Sequence, residues 1–377
     1  MTNLDVLIFG GGIAGLWTLD RLRRDGWRAA LVEKTALGTG QTIGAQGIIH
    51  GGGKYALRGV QDFAAVKVIR EMPERWLREK PELKAALSSP RCFLWLPRDA
   101  GLVQRGLMAI VEKAGLLSTK PVPVDEQEWP EALRGSASAV WSMAEPVFRA
   151  KPLIEALSAP HRGVVYRTSD GLSARLTVLA AGEGNAALLA ERGRDAQMMQ
   201  RRPLCMVVVR GKLPPLFGHC VIGGKTGLTI TTCDLGLRSA TGGREAGWQV
   251  GGEIAEQCAN ETDLARVRAR AVDELRRYLP SVTLDGAEMT TYRAVRAEAA
   301  TKDARRPSGT NVVRVAPDLV AVWPTKLALA PVLADEIADL VRVELKTPAT
   351  YDVALPPSGG VAVAPYPWEN AEWHRVR

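Results

Sequence analysis

The 377-residue sequence predicts an α/β fold in which a Rossmann-like domain is interleaved with an α+β domain built on a mostly antiparallel sheet. Three observations predict this fold. At the N-terminus, an apolar run leads directly into a glycine-rich turn and an amphipathic helical pattern. Short β-rich runs separated by turn signals fill residues 203–252. An apolar run at 174–179 and an amphipathic pattern within 321–341 supply further elements for the first domain.

The N-terminal run DVLIF, residues 5–9, suits a buried parallel strand. Gly10, Gly12 and Gly15 follow it as G-x-G-x-x-G. The helical pattern after them places four apolar side chains on one face: Ile13, Leu16, Leu19 and Leu22. The second strand, RAALVE, ends on Glu33. The order strand, turn, helix and strand is that of a nucleotide-binding β–α–β unit.

Each part of this unit suits a dinucleotide. The glycines permit a tight turn and let a pyrophosphate approach the backbone, and the helix N-terminus supplies N–H groups and a partial positive charge. Glu33 lies 18 positions after Gly15 (33 − 15), close to the ~20 expected for the acid that binds a ribose hydroxyl. The sequence therefore predicts a dinucleotide site. The alternative is a glycine-rich turn without a ligand.

The chain after Glu33 favours FAD over NAD. It does not continue with strand–helix units but enters LGTGQTIGAQGIIHGGGKYALRG, a stretch of small and polar residues that suits a segment laid along an extended ligand. Later, ARLTVLAAGEGN at 174–185 reads as an apolar strand that ends in small residues and brings backbone back to the cofactor. A second glycine fingerprint with its acid does not occur, which argues against a separate nicotinamide domain.

These residues resemble the superfamily of FAD-dependent D-amino-acid oxidase and glycerol-3-phosphate dehydrogenase, over roughly residues 3–342. Three blocks carry the resemblance: the fingerprint through Glu33, TIGAQGIIHGGGKYAL and TVLAAGEGN. Two further segments are similar, EPVFRAKPLIEAL and AVWPTKLALAPVLADEIADLV. In the last one, Trp323, Pro324 and Thr325 replace the glycines that precede the family's lysine, here Lys326.

The resemblance implies which residues bind FAD: Gly10, Gly12, Ile13, Ala14, Gly15, Glu33, Lys34, Thr42, Ala45, Gln46, Gly47, Ile49, Ala181, Gly182, Thr325, Lys326 and Leu327. It also implies a discontinuous FAD-binding domain of residues 1–90, 146–200 and 300–345. A substrate domain would comprise residues 91–145 and 201–299, and a C-terminal tail residues 346–377.

The resemblance further implies three catalytic residues. His50 would take a hydroxyl or amine proton while a hydride is transferred to the flavin, and Gly51–Gly53 would lie close to the flavin ring. The alternatives for His50 are a structural role or a covalent bond to the flavin. Lys326 would stabilise negative charge at the pyrimidine edge of the flavin, or else is a solvated lysine. Arg296, with Arg293 as second choice, would clamp a carboxylate or phosphate, or else forms a surface salt bridge.

The expected function is that of an FAD-dependent dehydrogenase or oxidase. It would move a hydride from a small anionic substrate, a 2-hydroxy acid or polyol phosphate, to the flavin. One alternative is an amine or amino-acid oxidase of the same fold. Another is a flavin-carrying tRNA-modifying or nucleic-acid-associated protein, suggested only by the net charge of +8. The electron acceptor (oxygen, a quinone or a carrier protein) stays open.

Composition limits the expected location and partners of the protein. No stretch approaches the roughly 20 apolar residues of a membrane span, and the N-terminus enters a strand at once, so we expect no transmembrane segment and a cytoplasmic location. The five scattered cysteines are expected to be free thiols, with no metal site, and His219 is expected to be structural. No specific nucleic-acid partner is expected. The C-terminal tail is expected to pack on the body, the alternatives being a partner or a peripheral membrane contact.

Overall fold

The computed structural model of the chain describes these residues: 3–52, 68–101, 121–222, 225–238, 244–303, 307, 309–351 and 353–376. The chain forms two compact units. Unit 1 comprises Met1–Ala45, Ala150–Arg202 and Val295–Pro365, and unit 2 comprises Gln46–Arg149, Pro203–Ala294 and Tyr366–Arg377. Among the helices of the described ranges, none has both the length and the apolar character that a membrane span requires.

The helices of these residues are α1 (Ile13–Arg24), α2 (Met72–Glu79), α3 (Ala150–Ser158), α4 (Asn185–Ala190), α5 (Glu253–Gln257), α6 (Leu264–Tyr278) and α7 (Ala330–Leu345). The strands are β1 (Leu4–Phe9), β2 (Ala29–Val32), β3 (Leu87–Ser89), β4 (Cys92–Pro97), β5 (Val122–Pro123), β6 (Ala137–Met143), β7 (Val147–Phe148), β8 (Val165–Tyr166), β9 (Ala174–Leu179), β10 (Met199–Arg210), β11 (Phe217–Ile222), β12 (Lys225–Arg238), β13 (Arg244–Gly252), β14 (Glu288–Ala299), β15 (Asn311–Ala316), β16 (Leu319–Trp323) and β17 (His374–Arg375).

Unit 1 is built on a sheet whose described strands lie in the order β15-β16-β9-β1-β2-β8. β1 runs parallel to β2 and to β9, β2 runs parallel to β8, and β16 runs parallel to β9. The first strand is buried almost throughout, as a parallel strand covered on both faces must be. The carboxyl ends of β1 and β9 therefore lie side by side, where the glycine turn and the small residues after β9 begin.

Two amphipathic helices of unit 1, α1 and α7, pack against each other. The four side chains predicted for the apolar face of α1 are all buried. The helix ends at Arg24, and Gly26 follows with φ +86°, the left-handed conformation in which glycine commonly ends a helix. On α7, Leu333 and Ile337 are buried, as the predicted amphipathic pattern requires.

Unit 2 is built on a sheet whose described strands follow the order β17-β14-β10-β13-β12-β11-β4-β6-β5. The pairs β10–β13, β12–β13, β11–β12 and β4–β6 are antiparallel, while β4 and β11 are parallel. Helix α6 buries Val267, Ala271 and Leu275 in the same core as Trp248 and Val250. The predicted fold class, a Rossmann-like domain interleaved with a mostly antiparallel α+β domain, is confirmed.

The two units differ from the predicted domain bounds in two places. Residues 46–90 were expected in the FAD-binding domain, whereas the structure assigns them to unit 2. The reason is strand pairing, because Ile48 forms a bridge with Val147 of that unit. The tail also divides, with residues up to Pro365 in unit 1 and the rest in unit 2.

The tail packs as expected in its described part. Trp368 is 2% exposed and donates its indole N–H to the carbonyl oxygen of Asp234 at 3.0 Å. The ring of Tyr366 stacks on Trp368, with centroids 4.8 Å apart. All five cysteines are free thiols, as predicted from their spacing.

Candidate functional site

The glycine turn between β1 and α1 has no room for a side chain at two positions. Gly10 has φ +114°, and a Cβ there would lie 2.5 Å from Cα of Ala181, just after β9. A Cβ on Gly15 would overlap the carbonyl oxygen of Gly10. Gly12 is the N-cap residue of α1 and gives the helix no side-chain cap, which leaves this helix end suited to a phosphate.

Glu33 follows β2 directly and lies beside the same turn. Its Oε2 accepts the N–H of Gly11 at 2.8 Å, and its Oε1 accepts the N–H and the hydroxyl of Thr35 at 2.9 Å and 2.7 Å. These bonds fix the carboxylate where the sequence predicts the ribose-binding acid. Each oxygen can accept a further bond, so the group can still bind a hydroxyl. Lys34, the next residue, is exposed.

The second predicted block begins in unit 1 at Thr42. The buried hydroxyl of Thr42 accepts the N–H of Ile13 at 3.0 Å, which ties this block to the first turn of α1. Ala14 is buried in that turn, and Ala45 donates its N–H to the carbonyl oxygen of Thr42 at 3.2 Å. The block is thus attached to the end of α1 where a pyrophosphate would bind.

The third block is the turn after β9. Ala181 donates its N–H to the side-chain oxygen of Asn185 at 2.8 Å, and Gly182 adopts φ +58°. The amide nitrogen of Asn185 donates to the carbonyl oxygen of Val322 at 3.3 Å. This fully buried asparagine therefore links the turn to β16 and keeps its small residues next to Gly10.

The C-terminal block of unit 1 lies between β16 and α7. Thr325 has φ +61°, the left-handed conformation that a glycine would adopt without strain. Its hydroxyl accepts a hydrogen bond of 3.3 Å from the side-chain amide of Asn311. Lys326 and Leu327 are half-buried and begin the turn that leads into α7. The threonine that stands in place of the family's glycine thus keeps the backbone shape of a glycine.

The two arginines considered for anion binding lie on β14 and differ in their contacts. Arg293 is exposed and donates to the carbonyl oxygens of Ala259, at 2.7 Å, and of Glu261. Its guanidinium is therefore engaged with backbone. Arg296 is half-buried on the same strand. Arg296, the first choice from the sequence, stays a prediction for the binding of an anionic group.

In unit 2, the chain around the predicted histidine runs antiparallel beside the segment that follows β6. Backbone hydrogen bonds of 2.9 Å join Gly47 to Phe148 and Ile49 to Pro146. A Cβ on Gly47 would overlap the carbonyl oxygen of Phe148, which explains the glycine. The next residue on each of the two segments is ionisable, and the backbone pairing brings these two side chains together.

These side chains are His50 and Glu145. Nδ1 of His50 lies 3.1 Å from Oε2 of Glu145, and Oε1 accepts the N–H of Gly51 at 2.7 Å. The carboxylate is fully buried, whereas the His50 side chain keeps 22% of its surface exposed. Because carboxylate oxygens accept hydrogen bonds, this contact favours the tautomer of His50 that carries its proton on Nδ1.

His219 completes a cluster with this pair. It lies on β11, is fully buried, and its ring centroid is 5.5 Å from that of His50. Its Nδ1 lies 2.8 Å from the hydroxyl of Thr229. One nitrogen or oxygen atom from each member of the cluster lies within 4.8 Å of the others. At this spacing the charges of the three groups interact, and the arrangement is also compatible with a bound divalent cation.

Three further residues of unit 2 were predicted to contact the cofactor: Gln46, Gly47 and Ile49. Gln46 donates its side-chain amide to the carbonyl oxygens of Thr229 at 3.1 Å and Gln249 at 2.9 Å, so it attaches this segment to the sheet. Gly53, the third glycine after His50, lies outside the described residues. Cofactor contacts of Gln46, Gly47 and Ile49 stay predictions.

Sequence reasoning gave no role to Glu145 or Asn185. Both stood inside segments that had been singled out, at the start of EPVFRAKPLIEAL and at the end of TVLAAGEGN. The available signal for Glu145 was a lone acid between the apolar run AVWSMA and a proline. The signal for Asn185 was a polar residue at the start of a helix, after two glycines.

The residues of unit 1 fit a dinucleotide such as FAD. The glycine turn has space for backbone only, the N-cap residue Gly12 contributes no side chain at the end of α1, and the acid at the end of β2 is held beside both. The family model described as DAO, FAD dependent oxidoreductase, matches residues 5–340. The chain belongs to the DAO family. It is an FAD-dependent oxidoreductase, and FAD is its cofactor.

Relatives within the DAO family agree with this assignment. The probable FAD-dependent oxidoreductase PA4991 of Pseudomonas aeruginosa is 37% identical, over 98% of either chain. In a structural comparison, the crystal structure of that protein gives a TM-score of 0.79 at 33% identity, again over 98% of both chains.

More distant structures share the fold. Glycine oxidase from Geobacillus kaustophilus has a TM-score of 0.59 at 16% identity, over 91% of this chain and 96% of the other. L-α-glycerophosphate oxidase from Mycoplasma pneumoniae, a structure with FAD bound, has a TM-score of 0.62 at 16% identity, over 91% and 95%. One of these names contains an amino acid and the other a polyol phosphate, so the fold alone does not select a substrate class.

Proposed function

We propose that this DAO-family protein oxidises a carbon that bears a hydroxyl group in a small anionic substrate, a 2-hydroxy acid or a polyol phosphate. The observation that carries the proposal is the hydrogen-bonded pair of His50 and Glu145 in unit 2. When bound, FAD supplies the acceptor for the hydride that leaves the carbon. The residues of the chain have to supply the acceptor for the hydroxyl proton.

The need for a proton acceptor distinguishes alcohols from amines. A hydroxyl group holds its proton tightly, so a base must take that proton as the hydride leaves. A neutral amine has a lone pair that can form the double bond to carbon without losing a proton first. An amino-acid oxidase therefore does not require a histidine that a buried carboxylate orients. The pair of His50 and Glu145 favours the hydroxyl substrate.

The pair supports proton transfer in two ways. The bond from Nδ1 of His50 to Glu145 fixes the tautomer, so the partly exposed ring presents an unprotonated Nε2. When Nε2 takes a proton, the ring becomes positive next to a negative carboxylate, which lowers the energy of the charged ring. The N–H of Gly51 holds that carboxylate from its other oxygen, so it stays aligned throughout.

The anionic part of the substrate is assigned to Arg296. A guanidinium can bind a carboxylate or phosphate through two parallel hydrogen bonds, which a lysine cannot match. Lys326 is assigned a separate role, that of a positive charge which stabilises the reduced cofactor. Both assignments are tested by substitution, with bound FAD measured first so that loss of cofactor is not mistaken for loss of chemistry.

The first experiment is a substrate panel under argon. We expect 2-hydroxy acids or polyol phosphates to bleach the flavin absorbance and amino acids to leave it unchanged. The metal content of the same preparation is measured in parallel. Bleaching by amino acids alone, or one tightly bound divalent cation per chain that His219→Ala releases, would contradict the proposal, because a cation would occupy the lone pair that accepts the proton.

The second experiment replaces the base. His50→Gln should slow flavin reduction about 10²- to 10⁴-fold with FAD still bound, the usual contribution of a general base. His161→Gln is the matched control, since His161 is a buried histidine that also pairs with a carboxylate, Asp20, at 3.1 Å. We expect the control to reduce at the normal rate. Equal rates in the two variants would remove the base assignment.

A further inference from the structure

The chain after α7 runs along unit 1 as an extended strap, defined here as residues 347–365. Helix α7 ends at Leu345, and Lys346 follows it with φ +63°. Apart from a bridge at Val363, the described residues of the strap form neither helix nor strand. Individual hydrogen bonds therefore hold the strap in place, at three successive points.

The first point is the buried carboxylate of Asp5, on β1. Its Oδ1 accepts the N–H of Ala349 at 3.2 Å and the hydroxyl of Tyr351 at 2.9 Å. The guanidinium of Arg28 donates to the carbonyl oxygen of Val353 at 2.7 Å and lies 5.0 Å over the Tyr351 ring. These contacts attach the beginning of the strap beside the amino ends of β1 and β2.

The second point is β8. The hydroxyl of Tyr166 donates to the carbonyl oxygen of Pro356 at 3.0 Å, and the hydroxyl of Ser358 bonds to the carbonyl oxygen of Val165. The backbone of Tyr166 in turn accepts the N–H of Glu33 at 2.8 Å. The strap thus lies on the strand that neighbours the predicted ribose-binding acid.

The third point is Leu37, four residues after that acid. Leu37 donates its N–H to the carbonyl oxygen of Ala362 at 2.8 Å and accepts the N–H of Ala364 at 2.9 Å. Both backbone groups of a buried residue are therefore satisfied by the strap. Next to it, Gly38 donates to the carbonyl oxygen of Gly11 at 2.8 Å. The Leu37 side chain packs so closely that a Cβ on Gly11 would lie 2.6 Å from its Cδ2.

We propose that the strap is part of the cofactor site, as an element that positions other residues. By pairing with Leu37, it holds residues 33–38 against the glycine turn in the conformation that binds the adenosine half of FAD. Without this pairing, two buried backbone groups lose their partners and the loop is free to leave the turn. The proposal depends on FAD binding, which the family establishes, and is independent of the substrate proposed above.

Ala364→Pro tests this directly, because it removes the N–H that donates to Leu37. Ala364→Ser is the matched control, since it keeps the N–H at almost the same volume. FAD is titrated into each apoprotein and followed by quenching of flavin fluorescence. We expect the proline variant to bind FAD about tenfold more weakly than the control, the effect of losing about 1.4 kcal/mol.

Limited proteolysis provides the second measurement. Because binding linkage is reciprocal, FAD should slow chymotryptic cleavage after Tyr351 in the native chain. The double variant Tyr166→Phe/Ser358→Ala removes hydrogen bonds of the strap but leaves its pairing with Leu37 intact. It replaces the proline variant as the test if that variant does not fold. We expect it to weaken FAD binding by several-fold. A strap that is cleaved faster in either variant while the FAD affinity stays equal to that of the native chain overturns the proposal.

Discussion

The candidate cofactor site in unit 1 and the candidate proton-transfer cluster in unit 2 are built in opposite ways. In unit 1, the N-terminal part of the candidate cofactor site is mostly backbone: glycines without space for a Cβ, a helix end and one carboxylate, all within residues 10–33. In unit 2, the reactive cluster is made of three side chains that lie 95 and 74 positions apart in the chain (145 − 50 and 219 − 145). A site built from local backbone can be recognised in a sequence, whereas a site assembled by strand pairing cannot.

The largest expected effect concerns the backbone site. Gly15→Ala would place a methyl group on the carbonyl oxygen of Gly10, and neither atom can move without displacing α1 or β1. We expect the variant to be purified without FAD or not to fold, since overlap of buried backbone is among the most destabilising changes. The ratio of flavin to protein absorbance measures the result.

Gly163→Ala is the control for that substitution. Gly163 also belongs to unit 1, but a Cβ there meets no atom within 4 Å and its φ is not in the left-handed range. We expect normal FAD content in this variant. Should Gly15→Ala retain FAD as well as Gly163→Ala does, the close approach of backbone would not be what the cofactor requires.

This contrast between the two regions explains how much of the candidate site could be predicted from the sequence. The strand, turn, helix and acid of unit 1 follow from patterns within one short stretch, and the structure places Gly10, Gly15 and Glu33 as those patterns require. The histidine was found because unusual residues surround it. Its partner Glu145 was not, because their contact depends on the register of two segments almost a hundred residues apart.

The two units divide the chain at other positions than the predicted domains, for a related reason. The resemblance implied that the FAD-binding domain runs on to residue 90, because the block after Glu33 is similar to a segment that contacts the flavin. The structure separates Ala45 from Gln46, because the next residues pair with the chain near Val147. Strand pairing between distant segments has no local signal, so a boundary that depends on it cannot be read from composition.

The second prediction concerns the side-chain cluster. Glu145→Gln keeps the size of the side chain and an oxygen for the N–H of Gly51, but removes the negative charge beside His50. We expect flavin reduction to slow by about 10- to 100-fold, or about 1.4–2.7 kcal/mol in the barrier. Because the charged ring is then less stable, the acidic limb of the pH–rate profile should move to lower pH.

Glu145→Ala separates the catalytic effect from the structural one. This change removes the carboxylate that the buried N–H of Gly51 and Nδ1 of half-buried His50 contact, at a total cost of about 1–3 kcal/mol in the free energy of unfolding. Denaturant unfolding measures that loss, which Glu145→Gln should largely avoid. A glutamine variant with native rate and an unmoved pH profile would show that the carboxylate serves the fold and not the histidine.

The smallest expected effect returns to unit 1, at a position where a side chain occupies a backbone shape typical of glycine. Thr325 has φ +61°, which costs a β-branched residue about 1–2 kcal/mol, while glycine adds about 0.5–1 kcal/mol of entropy to the unfolded chain. Both Thr325→Gly and Thr325→Ala lose the bond from Asn311. Thr325→Gly also relieves the strain and should change the free energy of unfolding by less than about 1 kcal/mol, whereas Thr325→Ala keeps the strain and should lower it by about 0.5–1.5 kcal/mol. Titration with FAD then shows what Thr325 contributes to the cofactor site. If the glycine variant binds FAD as tightly as the native chain, the contribution comes from the backbone, as elsewhere in this unit. A weaker affinity in both variants would mean that the hydroxyl itself binds the cofactor, and that the cofactor site is less purely a backbone site than its glycines indicate.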